Sequence, residues 1–270
     1  PTMNRSEIFL VMVSGMGTIA GSVMGTYIGM LGGTDPAAKV LFATHLLSAS
    51  VMAVPGSIVL AKMLCPQTEE ATDHVAISGK EKENSNILDA ISSGTVTGVK
   101  LMTNIAAMLL VFISLVALAN YITEGVIGRY TGLNDWIVKI TDGKAQGLTF
   151  QFILGVITSP FMWLIGVPSQ DIMLVGSLLG QKTILNEFVA YFQLQQWKDA
   201  GLFMYEKSIL MSTYILCGFA NISSIGILLG GLGVLAPEKR GLISRIGLPA
   251  MIGGALVSVL SATIIGMILG

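Results

Sequence analysis

The sequence predicts an all-α polytopic membrane protein whose transmembrane helices are joined to a re-entrant helical hairpin. Composition is the first reason. Of 270 residues, 53% are hydrophobic and only 11% charged, with a mean hydropathy of +0.76, whereas soluble domains carry about 25% charged residues. Charge distribution is the second. Ile8 to Thr34, Leu101 to Ile122, Ala145 to Gln170, Ser208 to Pro237 and Ile246 to Gly270 contain no charge, and each exceeds the roughly 18 apolar residues of a membrane-span candidate. The third is an apolar stretch near residue 170 that is too interrupted to cross a bilayer.

With 15 basic and 16 acidic residues, the chain has no basic tail or stripe for a nucleic acid, so that partner is excluded. Cys65 and Cys217 form no CxxC pair and read as inert packing residues. No charged segment precedes a short apolar run at the start, which argues against a signal peptide. The chain opens on Pro1 rather than methionine, and reads as a piece of something longer.

The first expected span is 8–31. Gly17, Gly21, Gly25 and Gly29, continued by Gly33, recur every four residues; that stripe on one helix face predicts close packing against another backbone. A second span is expected at 40–62, flanked by Lys39 and Lys62, which can snorkel to the interfaces. From Cys65 to Asn86 the acidic and basic residues cluster, as in a solvated loop. An amphipathic helix follows at 86–100 and a third span at 101–122. Glu124 to Lys144, with Tyr130 and Trp136, suits an interfacial connector. Two last spans are expected at 208–235 and 242–269. Lys62, Lys80, Lys82, Lys239, Arg240 and Arg245 fall in connectors on one side, which is therefore assigned to the cytoplasm.

Between these lies the irregular part. An apolar run ends at Pro168, Ser169 to Leu179 makes a short helical piece, Gly180 to Thr183 reads as a polar turn, and a second piece runs from Asn186 to Trp197. Each piece falls short of the about 20 residues a span needs. Two short helices and a polar turn predict a re-entrant hairpin over 169–197, tolerated at membrane depth only where protein or a wet cavity surrounds it.

Glu187 sits in that hairpin beside apolar Phe188, Val189 and Ala190. A membrane-embedded acid points to a substrate, ion or proton site, although a salt bridge to Lys182 at the hairpin mouth would also explain it. In the span beginning at Ser208, Asn221 and Ser224 are three residues apart, so on a continuous helix they share a face and can address one ligand, with Phe219 as an apolar wall. The plainer reading is that they join helices to one another. A midplane carboxylate nearby favours a ligand site, because broken helices with converging polar groups are how secondary transporters build one.

Other motifs fail on context. Gly176 to Thr183 (GSLLGQKT) places Gln181 between the glycine and lysine that a phosphate loop needs adjacent. Gly15, Gly17 and Ala20, and likewise Gly231, Gly233 and Ala236, match a dinucleotide pattern but follow no strand. Asn221-Ile222-Ser223 is a glycosylation sequon placed mid-membrane, out of reach of a glycan. His45 and His74 are isolated and no Ser, His and acid grouping suggests a hydrolase, so no enzyme is expected.

Gly17 to Gly25 (GTIAGSVMG), Gly166 to Val175 (GVPSQDIMLV), Asn186 to Tyr191 (NEFVAY) and Gly218 to Gly226 (GFANISSIG) together resemble the concentrative nucleoside transporters, in their carboxy-terminal domain, in order along nearly the whole chain. The resemblance implies a homotrimer in the plasma membrane (the inner membrane of bacteria), with re-entrant hairpins and two unwound helices. It implies secondary transport of nucleosides coupled to sodium or, in some members, to protons, and no other cofactor. By position Glu187 resembles the family's ribose-binding carboxylate, Asn221 and Ser224 the ribose-binding pair beside Phe219, and Val23 a residue near the base. Thr18 and Ile19 resemble sodium ligands, one through its hydroxyl and one through its carbonyl. The family's first hairpin and amino-terminal helices have no counterpart here, so the resemblance also leaves a non-transporting scaffold fragment as the alternative. A carboxylate facing a vicinal diol would accept two charge-assisted hydrogen bonds, about twice as strong as neutral ones, and such a site rejects substrates lacking the hydroxyls.

Overall fold

Several helix starts in this chain are marked by short polar side chains that accept the orphan amides of a first turn. The computed structural model describes residues 3–69, 86–141, 143 and 145–270. Asn4 opens α1 (Arg5–Gly17), accepting from the Glu7 amide at 3.0 Å while Glu7 returns a carboxylate to the Asn4 amide at 2.8 Å. The backbone then leaves helical geometry at Thr18 and re-enters it as α2 (Gly21–Gly32). Asp35 caps α3 (Pro36–Leu64), which has proline in its first turn, where the missing N–H costs nothing.

Asn86 caps α4 (Ile87–Asn120) through the Asp89 amide at 2.9 Å. The amphipathic helix and the span expected at 86–100 and 101–122 are thus one helix, with no proline to interrupt it. It passes into a π-helical segment, Tyr121–Gly128, and then α5 (Arg129–Thr131) and α6 (Leu133–Ile140). Asn134 ties this connector together: its amide donates to the Glu124 carbonyl at 3.0 Å and its oxygen accepts from the Leu148 amide at 2.9 Å. Residues 72–150 form one compact unit; residues 1–71 and 151–270 form the other. Most of the polar stretch expected as a loop, including His74, Lys80 and Lys82, lies outside the described residues.

The larger unit contains α7 (Phe150–Leu164), α8 (Ile172–Ile184), α9 (Glu187–Asp199), α10 (Glu206–Leu216), α11 (Ile222–Leu235), a 3-10 turn at Pro237–Lys239 and α12 (Arg240–Ile268). Helices α8 and α9 are 13 residues each and pair as a hairpin, but its turn is at Leu185 and Asn186. The stretch Gly180 to Thr183, expected to be the turn, is the end of α8. Its glycines face α7: side-chain carbon on Gly176 or Gly180 would press into Thr158 or Leu154. Helix packing, not phosphate, explains the GSLLGQKT string. At the other end of the hairpin, buried Asp171 receives the Met204 and Tyr205 amides at 3.0 and 3.1 Å, fastening the start of α8 to the start of α10.

The two unwound helices implied by the resemblance are found: they interrupt the expected span 8–31 at residues 18–20 and the expected span 208–235 at residues 217–221. Neither break carries proline. The core explains why they hold. Met12, Val13, Met16, Ala53, Ala220, Ala250 and Val257 are buried together between α1, α3, α11 and α12, and Gly254 of α12 lies against both Met16 and Ala220, the edges of the two breaks. The glycine stripe divides accordingly. Gly17 packs on Val257, but a Cβ on Gly21, Gly25 or Gly29 would meet no other part of the described residues within 4 Å, so among them the expected close packing holds at Gly17 and not at the next three.

Among the described residues, three segments are long and apolar enough to cross a membrane, Arg5–Gly32, Pro36–Leu64 and Pro237–Ile268. Val40, Val51, Val59 and Met63 on α3 are more than half exposed, which an aqueous surface penalises and a lipid-facing one requires. The chain is an all-helical membrane protein.

Candidate functional site

The break between α10 and α11 begins with a change of partner. Helix α10 leaves its last carbonyls without intrahelical donors. The Cys217 amide turns back to the Tyr214 carbonyl at 3.1 Å, and the Thr213 carbonyl accepts the buried Tyr191 hydroxyl of α9 at 2.8 Å. Gly218 follows at φ +99, a conformation side chains resist, and a Cβ there would lie 2.6 Å from the Gly17 carbonyl oxygen. The two broken helices therefore touch backbone to backbone at this glycine. Gly218→Ala is expected to cost about 1–3 kcal/mol from backbone strain alone, read as a lower melting temperature of the purified protein. An unchanged melting temperature would mean the breaks do not meet.

Asn221 restarts the helix as the N-cap of α11, its oxygen accepting from the Ser224 amide at 2.9 Å. Ser224 is fully buried; its hydroxyl donates to the Asn221 carbonyl at 2.6 Å and accepts from the Asn221 amide at 3.1 Å. The pair expected to share a helix face is instead joined as a capping box, because Asn221 is not itself helical. The Ser223 hydroxyl also donates to the Asn221 oxygen, at 2.6 Å. That leaves the Asn221 amide group free to point elsewhere, and it donates to Glu187 Oε2 at 3.2 Å.

Glu187 is the first residue of α9, whose cap is Asn186, bonded to the Val189 amide at 2.9 Å. Its carboxylate therefore sits at the amino ends of two helices, α9 and α11, both of which favour negative charge. The other oxygen, Oε1, lies 3.5 Å from the Tyr27 hydroxyl of α2, at the limit of a useful hydrogen bond. Tyr27 is held by stacking on Tyr191, ring centroids 4.0 Å apart. Glu187 is half-buried. A salt bridge to Lys182 does not form: the lysine is fully buried and donates to α10 and α12 instead.

The remaining expected residues flank this centre. Phe219 is half-buried within the α10–α11 break, and Val23 is half-buried on α2, packed on the cluster that includes Tyr27 and Tyr191. Thr18 and Ile19 form the α1–α2 break, where the Thr18 hydroxyl donates to the Ser14 carbonyl at 3.0 Å and Ile19 packs into the core. The reading from sequence missed Tyr27, a lone tyrosine in an apolar run with no neighbour to mark it.

A family model described as Na+ dependent nucleoside transporter C-terminus matches residues 45–266. The chain belongs to this nucleoside transporter family. It is a family of transporters, not enzymes. An uncharacterized transporter of Haemophilus influenzae is 39% identical over 99% of this chain and 60% of its own length. Sodium/nucleoside cotransporter 1 of Rattus norvegicus is 38% identical over 98% of this chain and 40% of the relative. The solved structure of CNTnw in an inward-facing substrate-bound state is similar with a TM-score of 0.81 and 36% identity, covering 98% of this chain and 58% of that one. The chain thus spans less than two thirds of the transporters it resembles. Glu187 and Asn221 lie inside the stretch matched by the nucleoside transporter family; Thr18, Ile19, Val23 and Tyr27 lie before it.

Proposed function

We propose that this chain supplies the sugar-binding half of a multi-pass plasma-membrane symporter that moves nucleosides with sodium. The observation that carries the proposal is the Glu187 carboxylate meeting the Asn221 amide at 3.2 Å where two helices begin. A carboxylate has about four acceptor positions; the Asn221 amide takes one, the backbone amide at the start of α9 another, and Tyr27 at 3.5 Å holds a third only loosely, so two can turn to the hydroxyls of a ribose. Ser224 supports the site by fixing Asn221, and Phe219 and Val23 offer apolar surface to the ligand. The α1–α2 break supports a coupling site for sodium, since Thr18 and Ile19 bring hydroxyl and carbonyl oxygens of the kind a hard cation takes. The family description and the name of the rat relative favour sodium. Assembly as a homotrimer belongs to the same proposal.

The test is uptake of labelled uridine into vesicles containing the protein of native length. An inward sodium gradient is expected to drive accumulation, and its removal to abolish it. Accumulation driven by a proton gradient alone would replace sodium with protons, and none under either gradient would overturn the transport reading.

A further inference from the structure

Lys182 is the least expected residue of the larger unit: a fully buried cation with no carboxylate at salt-bridge distance among the described residues, Glu187 acting on it only through space. Its three ammonium hydrogens meet three neutral oxygens. These are the Ile215 carbonyl at 2.8 Å, the Cys217 carbonyl at 3.4 Å and the Ser258 hydroxyl at 2.9 Å. Ser258, itself buried on α12, donates to the same Cys217 carbonyl. An isolated buried charge is costly unless fully hydrogen-bonded, so this arrangement has to be built, and what surrounds it is the negative end of α10 where the helix stops.

Two main-chain carbonyls and a hydroxyl at a helix end also form the donor set of a small monovalent cation. The two breaks differ in this respect. At the α1–α2 break the Thr18 hydroxyl turns to its own helix and no lysine among the described residues donates to it; at the α10–α11 break the cation is part of the chain. Position adds a second point. Lys182 stands on α8 and grips the break at Ile215 and Cys217, whereas Glu187 stands on α9 and grips it at Asn221. One hairpin therefore holds both ends of one break.

We propose that Lys182 is a positioning residue: its ammonium occupies a monovalent-cation site at the α10–α11 break and, by fixing that break, sets Asn221 against Glu187. This rests on the proposed sugar site for its functional consequence, but not for the cation site. In the protein of native length, Lys182→Ala is expected to raise KM for uridine by about tenfold or more, as loss of charged hydrogen bonds does. Methylammonium, which has three N–H donors, is expected to lower that KM again and to raise the melting temperature of the purified variant by several degrees. Tetramethylammonium, which has none, is expected to do neither. Ser258→Ala keeps the lysine and removes one acceptor, and is expected to raise KM severalfold in a folded protein.

Wild-type KM in either variant overturns the inference, as does a folded Lys182→Ala protein that ignores methylammonium in both measurements. Should Lys182→Ala not accumulate, Ser258→Ala decides. Should the wild-type protein move no uridine, the transport reading fails while the melting temperatures with the two amines still decide whether the cation site exists.

Discussion

Glu187→Gln is expected to leave the fold intact and to reduce uridine uptake by about 10- to 150-fold at limiting substrate, because losing a charged hydrogen bond costs about 1.5–3 kcal/mol. Glutamine is close in shape and can still present its oxygen to the Asn221 amide, so the 3.2 Å contact survives. Its second arm then becomes an N–H donor where the carboxylate offered an acceptor, and a ribose hydroxyl aimed there loses its partner. Discrimination should shrink with affinity. The native site is expected to ignore 2′,3′-dideoxyuridine, which leaves the carboxylate's ligand-facing acceptor positions unfilled, while the glutamine variant should separate the two nucleosides poorly. Competition against labelled uridine measures this directly; unchanged uptake and unchanged selectivity would remove Glu187 from the site.

Asn221→Asp is expected to cost more in binding than in stability, and Asn221→Ala to cost both. Aspartate caps a helix as well as asparagine does, so the bond from the Ser224 amide and the restart of α11 are kept. Its other oxygen replaces the donor facing Glu187, and two carboxylates about that close repel by roughly 4 kcal/mol at an effective dielectric near 20. The pair separates or holds a proton between its members, and the arrangement for two hydroxyls is lost. Alanine removes the cap as well, for about 0.5–2 kcal/mol of stability. Melting temperature and KM of the two variants together test this. Equal melting temperatures would show that Asn221 is not the cap that holds α11, and a wild-type KM in the aspartate variant would show that its amide does not serve the ligand.

The residues of this centre were visible in the sequence because each is out of place. A glutamate inside an apolar hairpin and an asparagine in a 30-residue uncharged window have no inexpensive explanation in lipid, and their chemistry narrows the function before any coordinates. The relation between them was less visible. Asn221 and Ser224 fit a helix face by spacing, but the helix begins at Ile222, so the same spacing produces a cap. Tyr27 carried no signal because its two roles, stacking on Tyr191 and reaching Glu187, depend on residues some 160 positions away. Lys182 read as part of a polar turn at the hairpin mouth, within reach of Glu187, since a lysine beside glycine and glutamine usually lies in a turn.

Local sequence by itself determined the membrane setting, the helix starts at Asn4, Asp35, Asn86 and Asn186, and the polar residues capable of holding a ligand, since hydrophobic length and capping are properties of a few neighbouring residues. Tertiary structure holds open the α1–α2 and α10–α11 breaks, which periodicity did not mark and only the resemblance implied, and it decided which groups meet there. A helix in lipid gives up backbone hydrogen bonds only where other atoms replace them, and those replacements, Tyr191, Lys182 and Ser258 around α10 and the Gly17–Gly218 contact between the breaks, come from distant parts of the chain.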